Sequence, residues 1–144
     1  MFRKVTDTVY ASPQIDPADV VMAGAQGFAL IINNRPEGED PGQTPGAEIE
    51  AAARAAGLAY VAIPVTHAGF SEPQVEAMAA ALRGAGEGKV LAYCRSGTRS
   101  TLLWALAQAS EGAEVDDLQE AAMGAGYDLG SIRPLLEMLA ARAG

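Results

Sequence analysis

The chain has 144 residues, 49% hydrophobic and 19% charged, with a net charge of −8 and a single cysteine. That balance suits one globular domain over residues 1–144 with a substantial core, and it excludes an internal disulfide, so a reducing cytoplasmic setting is expected. No basic run favours a nucleic-acid partner, and no cationic leader or apolar stretch of about 18 residues favours secretion or a membrane span.

Phe2 to Val5 and Thr8 to Pro13 read as short edge strands around a turn. Asp16-Pro17 is a helix start, with the carboxylate as cap and proline in the first turn, and Gly27 ends that helix. Phe28-Ala29-Leu30-Ile31-Ile32 is a continuous apolar run, as in a strand buried on both faces. A polar segment, Asn33 to Gln43, leads to a helix opened by Thr44-Pro45 and closed by Gly57. Leu58 to Val65 reads as a second buried strand, and Ser71-Glu72-Pro73-Gln74 has capping-box spacing for a helix ending near Gly84. Lys89 to Tyr93 is a strand, and helical segments follow at Ser100–Ala109, Val115–Ala125 and Ser131–Ala141.

Strands alternating with helices predict a three-layer α/β fold, with a mostly parallel central sheet and helices on both faces. Ligands of such sheets bind beyond the carboxyl ends of the strands. The segments predicted at that edge are Asn33–Gln43, Thr66–Phe70 and Cys94–Arg99.

The last of these carries the chemistry. Cys94-Arg95-Ser96-Gly97-Thr98-Arg99-Ser100 lies between a strand and an apolar helix. A Gly-containing turn there directs successive N–H groups into one concavity, and the helix dipole adds positive charge. A thiol at such a place is expected to ionise readily, from about 8.5 down to roughly 3.5–7.5. Cys94 is therefore the candidate nucleophile, Arg99 the clamp for the anion it attacks, and Arg95, Ser96, Gly97 and Thr98 the cradle. Trp104, in the helix behind the loop, reads as core.

The blocks Ile31-Ile32-Asn33-Asn34-Arg35-Pro36-Glu37-Gly38-Glu39, Ile63-Pro64-Val65-Thr66 and Leu91 to Ser100 resemble the phosphatase-like domain of bacterial beta-lactamase-hydrolase-like proteins, over roughly Phe2 to Ala109. That family is similar in fold to dual-specificity protein phosphatases, and its members are described as phosphatases and as sulfurtransferases. The resemblance implies a cysteine phosphatase-like fold with Cys94 as nucleophile and Arg99 as anion clamp. Two features depart from the dual-specificity pattern. Four residues separate Cys94 from Arg99, one fewer than in that pattern, and Tyr93 stands where a histidine usually precedes the cysteine. The shorter spacing matches rhodanese loops, which carry sulfane sulfur, although the glycine-histidine-isoleucine approach of rhodaneses is absent.

As a phosphatase, the protein would form a phosphocysteine on Cys94, with Ser100 hydrogen-bonded to the sulfur as it leaves. The dual-specificity pattern supplies a general acid from an aspartate after the preceding strand, but Thr66-His67-Ala68-Gly69-Phe70 has no carboxylate. His67 is the titrating candidate there; Glu37, Glu39 and Asp40 are alternatives, otherwise a solvated charge run. As a sulfurtransferase, Cys94 would hold a persulfide and need no acid. A non-catalytic anion-binding module is a further alternative, which iodoacetamide labelling across pH distinguishes. Arg35 is either a second fork for an anionic substrate or a structural partner of Glu37 or Glu39. No metal or cofactor is required by any of these schemes, and the expected partner is a small anionic or phosphorylated substrate or a sulfane-sulfur donor.

Overall fold

Each strand takes its place in the sheet according to what its two faces can bury. The computed structural model describes residues 2–143. In chain order the elements are β1 (Arg3–Lys4), β2 (Val9–Ser12), α1 (Pro17–Ala25), β3 (Phe28–Asn33), α2 (Gly46–Ala55), β4 (Ala59–Ala62), α3 (Glu72–Ala85), β5 (Lys89–Tyr93), α4 (Thr98–Ser110), α5 (Val115–Gly124) and α6 (Arg133–Ala143). The strands form one sheet in the order β1-β2-β5-β3-β4, antiparallel only between β1 and β2. Helices α1 and α2 pack Val20, Ala23, Ile49 and Ala53 against Ile31, Leu91 and Tyr93 on one face. Helices α3 to α6 cover the other, where Leu30, Ile32, Val90 and Ala92 meet Met78, Leu103, Leu118 and Leu136. This is the expected three-layer arrangement.

The alternation along β3 is broken once. A bulge between Phe28 and Leu30 leaves Ala29 exposed and sends Phe28 to the same side as Ile31. Helix α4 is buried on nearly its whole circumference, from Ser100 to Ala107 and at Ala109, which makes it the central helix of its layer. Trp104 is core, as expected, at 1% exposure.

Some expectations need correction. Thr8–Pro13 is not at an edge: β2 lies between β1 and β5, and Val9 and Ala11 enter the core. The short β1, Arg3-Lys4, takes the edge, where charged residues deter further pairing. The strand expected over Leu58–Val65 shortens to Ala59–Ala62 and forms the opposite edge, only partly buried. Its flanking residues Leu58, Ile63 and Val65 are the buried ones. Helix α4 starts at Thr98 rather than Ser100, because Gly97 at φ 93° reverses the chain and its carbonyl accepts from Thr101 N–H at 3.0 Å. Helix α6 starts at Arg133 rather than Ser131. Residues Gly130–Ile132 form a 3₁₀ turn held by Asp128, which accepts from Gly130 N–H at 2.9 Å, and Pro134 has no N–H to return to Gly130.

Candidate active site

Strands β3 and β5 are neighbours, yet the helices that follow them leave to opposite faces, α2 to one and α4 to the other. Such a divergence opens a crevice beyond the strands' carboxyl ends. Cys94 lies at its floor. Its N–H donates to Ser12 O at 3.3 Å, while Asn34 N–H donates to Tyr93 O at 2.8 Å, so β2 and β3 fix the residue from both sides.

Cys94 is fully buried but belongs to neither apolar cluster. Its Sγ accepts the Gly97 N–H at 3.1 Å, so the loop curls around the sulfur. The N–H groups of Arg95, Ser96, Arg99 and Ser100 have no acceptor among the described residues. Loop and helix start together thus present a set of unsatisfied donors of the kind that binds anions. Thr98 N–H is taken by Ser96 Oγ at 3.3 Å, and Ser96 Oγ also lies 3.0 Å from Thr98 Oγ1. Ser100 is 1% exposed and its hydroxyl has no hydrogen-bond partner among the described residues, so the expected bond to Cys94 sulfur is not formed in this structure.

Arg99 is held end-on. Its Nη1 donates to Glu39 Oε2 at 2.8 Å and to Val65 O at 2.6 Å, and its Nη2 donates to Glu39 Oε1 at 2.8 Å. These bonds occupy the outer fork of the guanidinium, and the Nε–Nη2 edge, a second planar fork, has no oxygen acceptor among the described residues beyond Glu39 at Nη2. Glu39 raises the Arg99 pKa most, and the nearby Cys94 sulfur adds a smaller upward push. Between two guanidinium groups, Glu39 is correspondingly held at about 2, with Arg99 the larger cause and Arg35 the lesser.

Arg35 is the buried keystone of the Asn34–Gln43 segment, at 5% exposure. Its Nε donates to Glu39 Oε1 at 2.8 Å, its Nη1 to Gln14 Oε1 at 2.9 Å and its Nη2 to Asp40 Oδ2 at 2.6 Å. All three nitrogens are engaged, so it offers no free fork to a substrate; its partners are Glu39 and Asp40 rather than Glu37. Glu37 instead accepts Gly46 N–H at 3.0 Å and caps α2, where Pro45 has no side-chain donor or acceptor. Each carboxylate of this segment is thus hydrogen-bonded, with Glu39 largely buried while Glu37 and Asp40 stay in contact with solvent.

The remaining predicted residues form the rim. Arg95 is 66% exposed, with Nε 3.7 Å from Asp40 Oδ2. His67 is 86% exposed, with Nε2 3.9 Å from Glu39 Oε2. Sequence reasoning missed Gln14, the anchoring role of Glu39, and Tyr127. Tyr127 follows α5 and donates its hydroxyl to Ser96 O at 3.0 Å, and a methyl group on Gly97 would collide with its Oη. Arg3 lies over its ring, 5.2 Å from the centroid. Only Gly126, at φ 93°, marks the turn that delivers Tyr127; nothing in the local pattern names its target.

Known proteins share the sequence and fold of this chain. Residues 1–111 match the model of the phosphatase-like domain of beta-lactamase hydrolase-like proteins. A beta-lactamase hydrolase-like protein of Xylella fastidiosa is 36% identical over 135 residues, 92% of this chain, and one of Agrobacterium fabrum is 38% identical over 123 residues. The chain spans about a third of the length of these relatives, 31% and 28%. Among solved structures, a candidate phosphatase of Neisseria meningitidis superposes with a TM-score of 0.80 at 36% identity, over 95% of this chain and 96% of the other. A candidate phosphatase of Shewanella putrefaciens shares the fold at a TM-score of 0.75 and 21% identity, over 99% and 93% of the two chains. The fold is that of protein tyrosine phosphatase-like enzymes, which suits hydrolysis through a cysteine. By the match across residues 1–111, the chain belongs to the phosphatase-like domain family of beta-lactamase hydrolase-like proteins.

Proposed function

We propose that the protein is a cysteine-dependent phosphatase that acts on a small phosphorylated substrate through a phosphocysteine on Cys94. The observation that carries this reading is the Nε–Nη2 fork of Arg99, held by Glu39 beside a sulfur that already accepts the Gly97 N–H. In this scheme the phosphoryl oxygens take the unsatisfied loop N–H groups and the Arg99 fork, and the sulfur attacks phosphorus from the floor. Donors fixed before the reaction stabilise the charge that spreads over those oxygens, usually the largest catalytic contribution. The phosphatase description of the Neisseria meningitidis relative supports the same reading.

Sulfur transfer is the second reading, favoured by one specific feature. The four-residue spacing from Cys94 to Arg99 is combined with a mouth whose nearest carboxylates are tied to arginines. A persulfide on Cys94 would draw on the same donors and need no proton from the protein. A paired assay separates the two: p-nitrophenyl phosphate hydrolysis against thiosulfate-to-cyanide transfer, each with Cys94→Ser beside the native chain. Nitrophenol release that disappears in Cys94→Ser is the expected result. Cys94-dependent thiocyanate without nitrophenol would replace the phosphatase by the sulfurtransferase, and loop binding of phosphate without turnover would leave an anion-binding module.

A further inference from the structure

We infer that the Cys94 site turns over phosphoryl compounds whose leaving group departs as a stable anion, aryl and acyl phosphates, and discriminates against alkyl phosphate monoesters. The inference rests on the phosphatase reading and deepens it to a substrate class. Among the described residues, each carboxylate near the loop accepts a bond through at least one oxygen. Both Glu39 oxygens accept from arginine, and Asp40 Oδ2 accepts from Arg35 with Arg95 beyond it. Protonating either carboxylate would forfeit these charge-assisted bonds. Glu37 caps α2, Asp16 caps α1, and the Tyr127 hydroxyl donates to Ser96 O. His67 is 86% exposed, and its Nε2 lies 3.9 Å from Glu39 Oε2, with no hydrogen bond to the loop among the described residues.

The chemical step can run without a donor only if the substrate allows it. The thiolate attacks phosphorus, an S–P bond forms, and the P–O bond breaks with its electron pair remaining on the departing oxygen. Water then attacks phosphorus, the S–P pair returns to sulfur, and one water proton is released to solvent with the phosphate. The net change is aryl or acyl phosphate and water to phenoxide or carboxylate, hydrogen phosphate and a proton. A positioned general acid typically contributes about 10²–10⁴ in rate. Where none is supplied, that factor falls on the leaving group: nitrophenoxides and carboxylates leave easily, phenoxide with a conjugate-acid pKa of about 10 less so, and alkoxides hardly at all.

The test is a series of substrates, p-nitrophenyl phosphate, phenyl phosphate, acetyl phosphate and glycerol phosphate, compared by kcat/KM with Cys94→Ser subtracted. The expected result is a fall of about 10²-fold or more from p-nitrophenyl to phenyl phosphate and no detectable glycerol phosphate turnover, with acetyl phosphate among the fast substrates. The phenyl to p-nitrophenyl ratio is expected to be the same in His67→Asn. A flat series, or glycerol phosphate turned over at a rate comparable to p-nitrophenyl phosphate, would overturn the inference while leaving the phosphatase intact. A His67→Asn chain slowed on phenyl phosphate alone would also overturn it, by identifying the missing acid. No Cys94-dependent release from p-nitrophenyl phosphate would overturn both readings.

Discussion

Two loops flank Cys94, and they differ in almost every respect. The Asn34–Gln43 segment is rich in charge, yet Arg35, Glu39 and Asp40 satisfy one another and reach across to Arg99. The Thr66–Phe70 segment contains one titrating side chain, His67, which is 86% exposed. The dual-specificity phosphatase pattern places an aspartate on the second loop; here that loop holds no carboxylate, while the charges of the first loop are tied into one another. The contrast teaches that pairing, rather than the number of charges near a site, determines what those charges can do.

The strongest way to break the comparison is at Arg99, held by Glu39 of the first loop and by the carbonyl of Val65, which precedes the second. Arg99→Lys is expected to lower kcat/KM by about 10²–10³, because an ammonium cannot hold Glu39 and present a second planar fork at once. Activity within a few-fold of the native chain would mean that the fork faces no substrate.

Glu39→Gln is the next largest. It leaves two guanidinium groups, Arg35 at 5% and Arg99 at 14% exposure, without their shared carboxylate. Removing one partner from a buried pair costs roughly 3–5 kcal/mol, to be read as a lowered Tm and denaturant midpoint. The pH dependence sharpens the point. Glu39 is depressed from 4.5 to about 2, so its contribution is complete above the unfolded value and is lost as pH falls toward 2. Native protein is therefore expected to lose stability across that window from this group, and Glu39→Gln to lose that part of the slope. Equal slopes in the two chains would place the acid sensitivity elsewhere.

Tyr127→Phe has a smaller expected effect, loss of the bond to Ser96 O at about 1 kcal/mol with a several-fold drop in kcat and little change in KM. A fall in KM-linked binding alone would make the residue part of the substrate pocket rather than a prop of the loop.

What the sequence reveals of this site follows from the range of the interactions. The loop around Cys94 is local: a strand, a cysteine, Gly97 and a helix start sit within one stretch, so residue types alone point to it. The apolar runs at Phe28–Ile32 and Lys89–Tyr93 likewise announce buried strands. Interior placement of β2 depends on Arg3 pairing with Ala11 and on Val9 pairing with Val90, and no local pattern encodes those partners. Glu39 reads as surface charge because its ligand Arg99 lies 60 residues away, and Tyr127 is 31 residues from Ser96. Ions and hydroxyls that act across such separations carry no periodicity by which to be recognised.

The smallest expected effect concerns approach rather than chemistry. With a net charge of −8, the chain repels a dianion at long range, so kcat/KM for p-nitrophenyl phosphate is expected to rise slightly with moderate salt. A steep fall with salt would instead mean that Arg95 and its neighbours dominate the field at the mouth.

The most direct measurement is the mass of Cys94 after acid quenching during turnover of p-nitrophenyl phosphate, located by peptide mapping. A phosphoryl group on Cys94, absent in Cys94→Ser, is the expected result. Nitrophenol released while Cys94 stays unmodified at every quench time, with the group found on another residue or nowhere, would contradict the account.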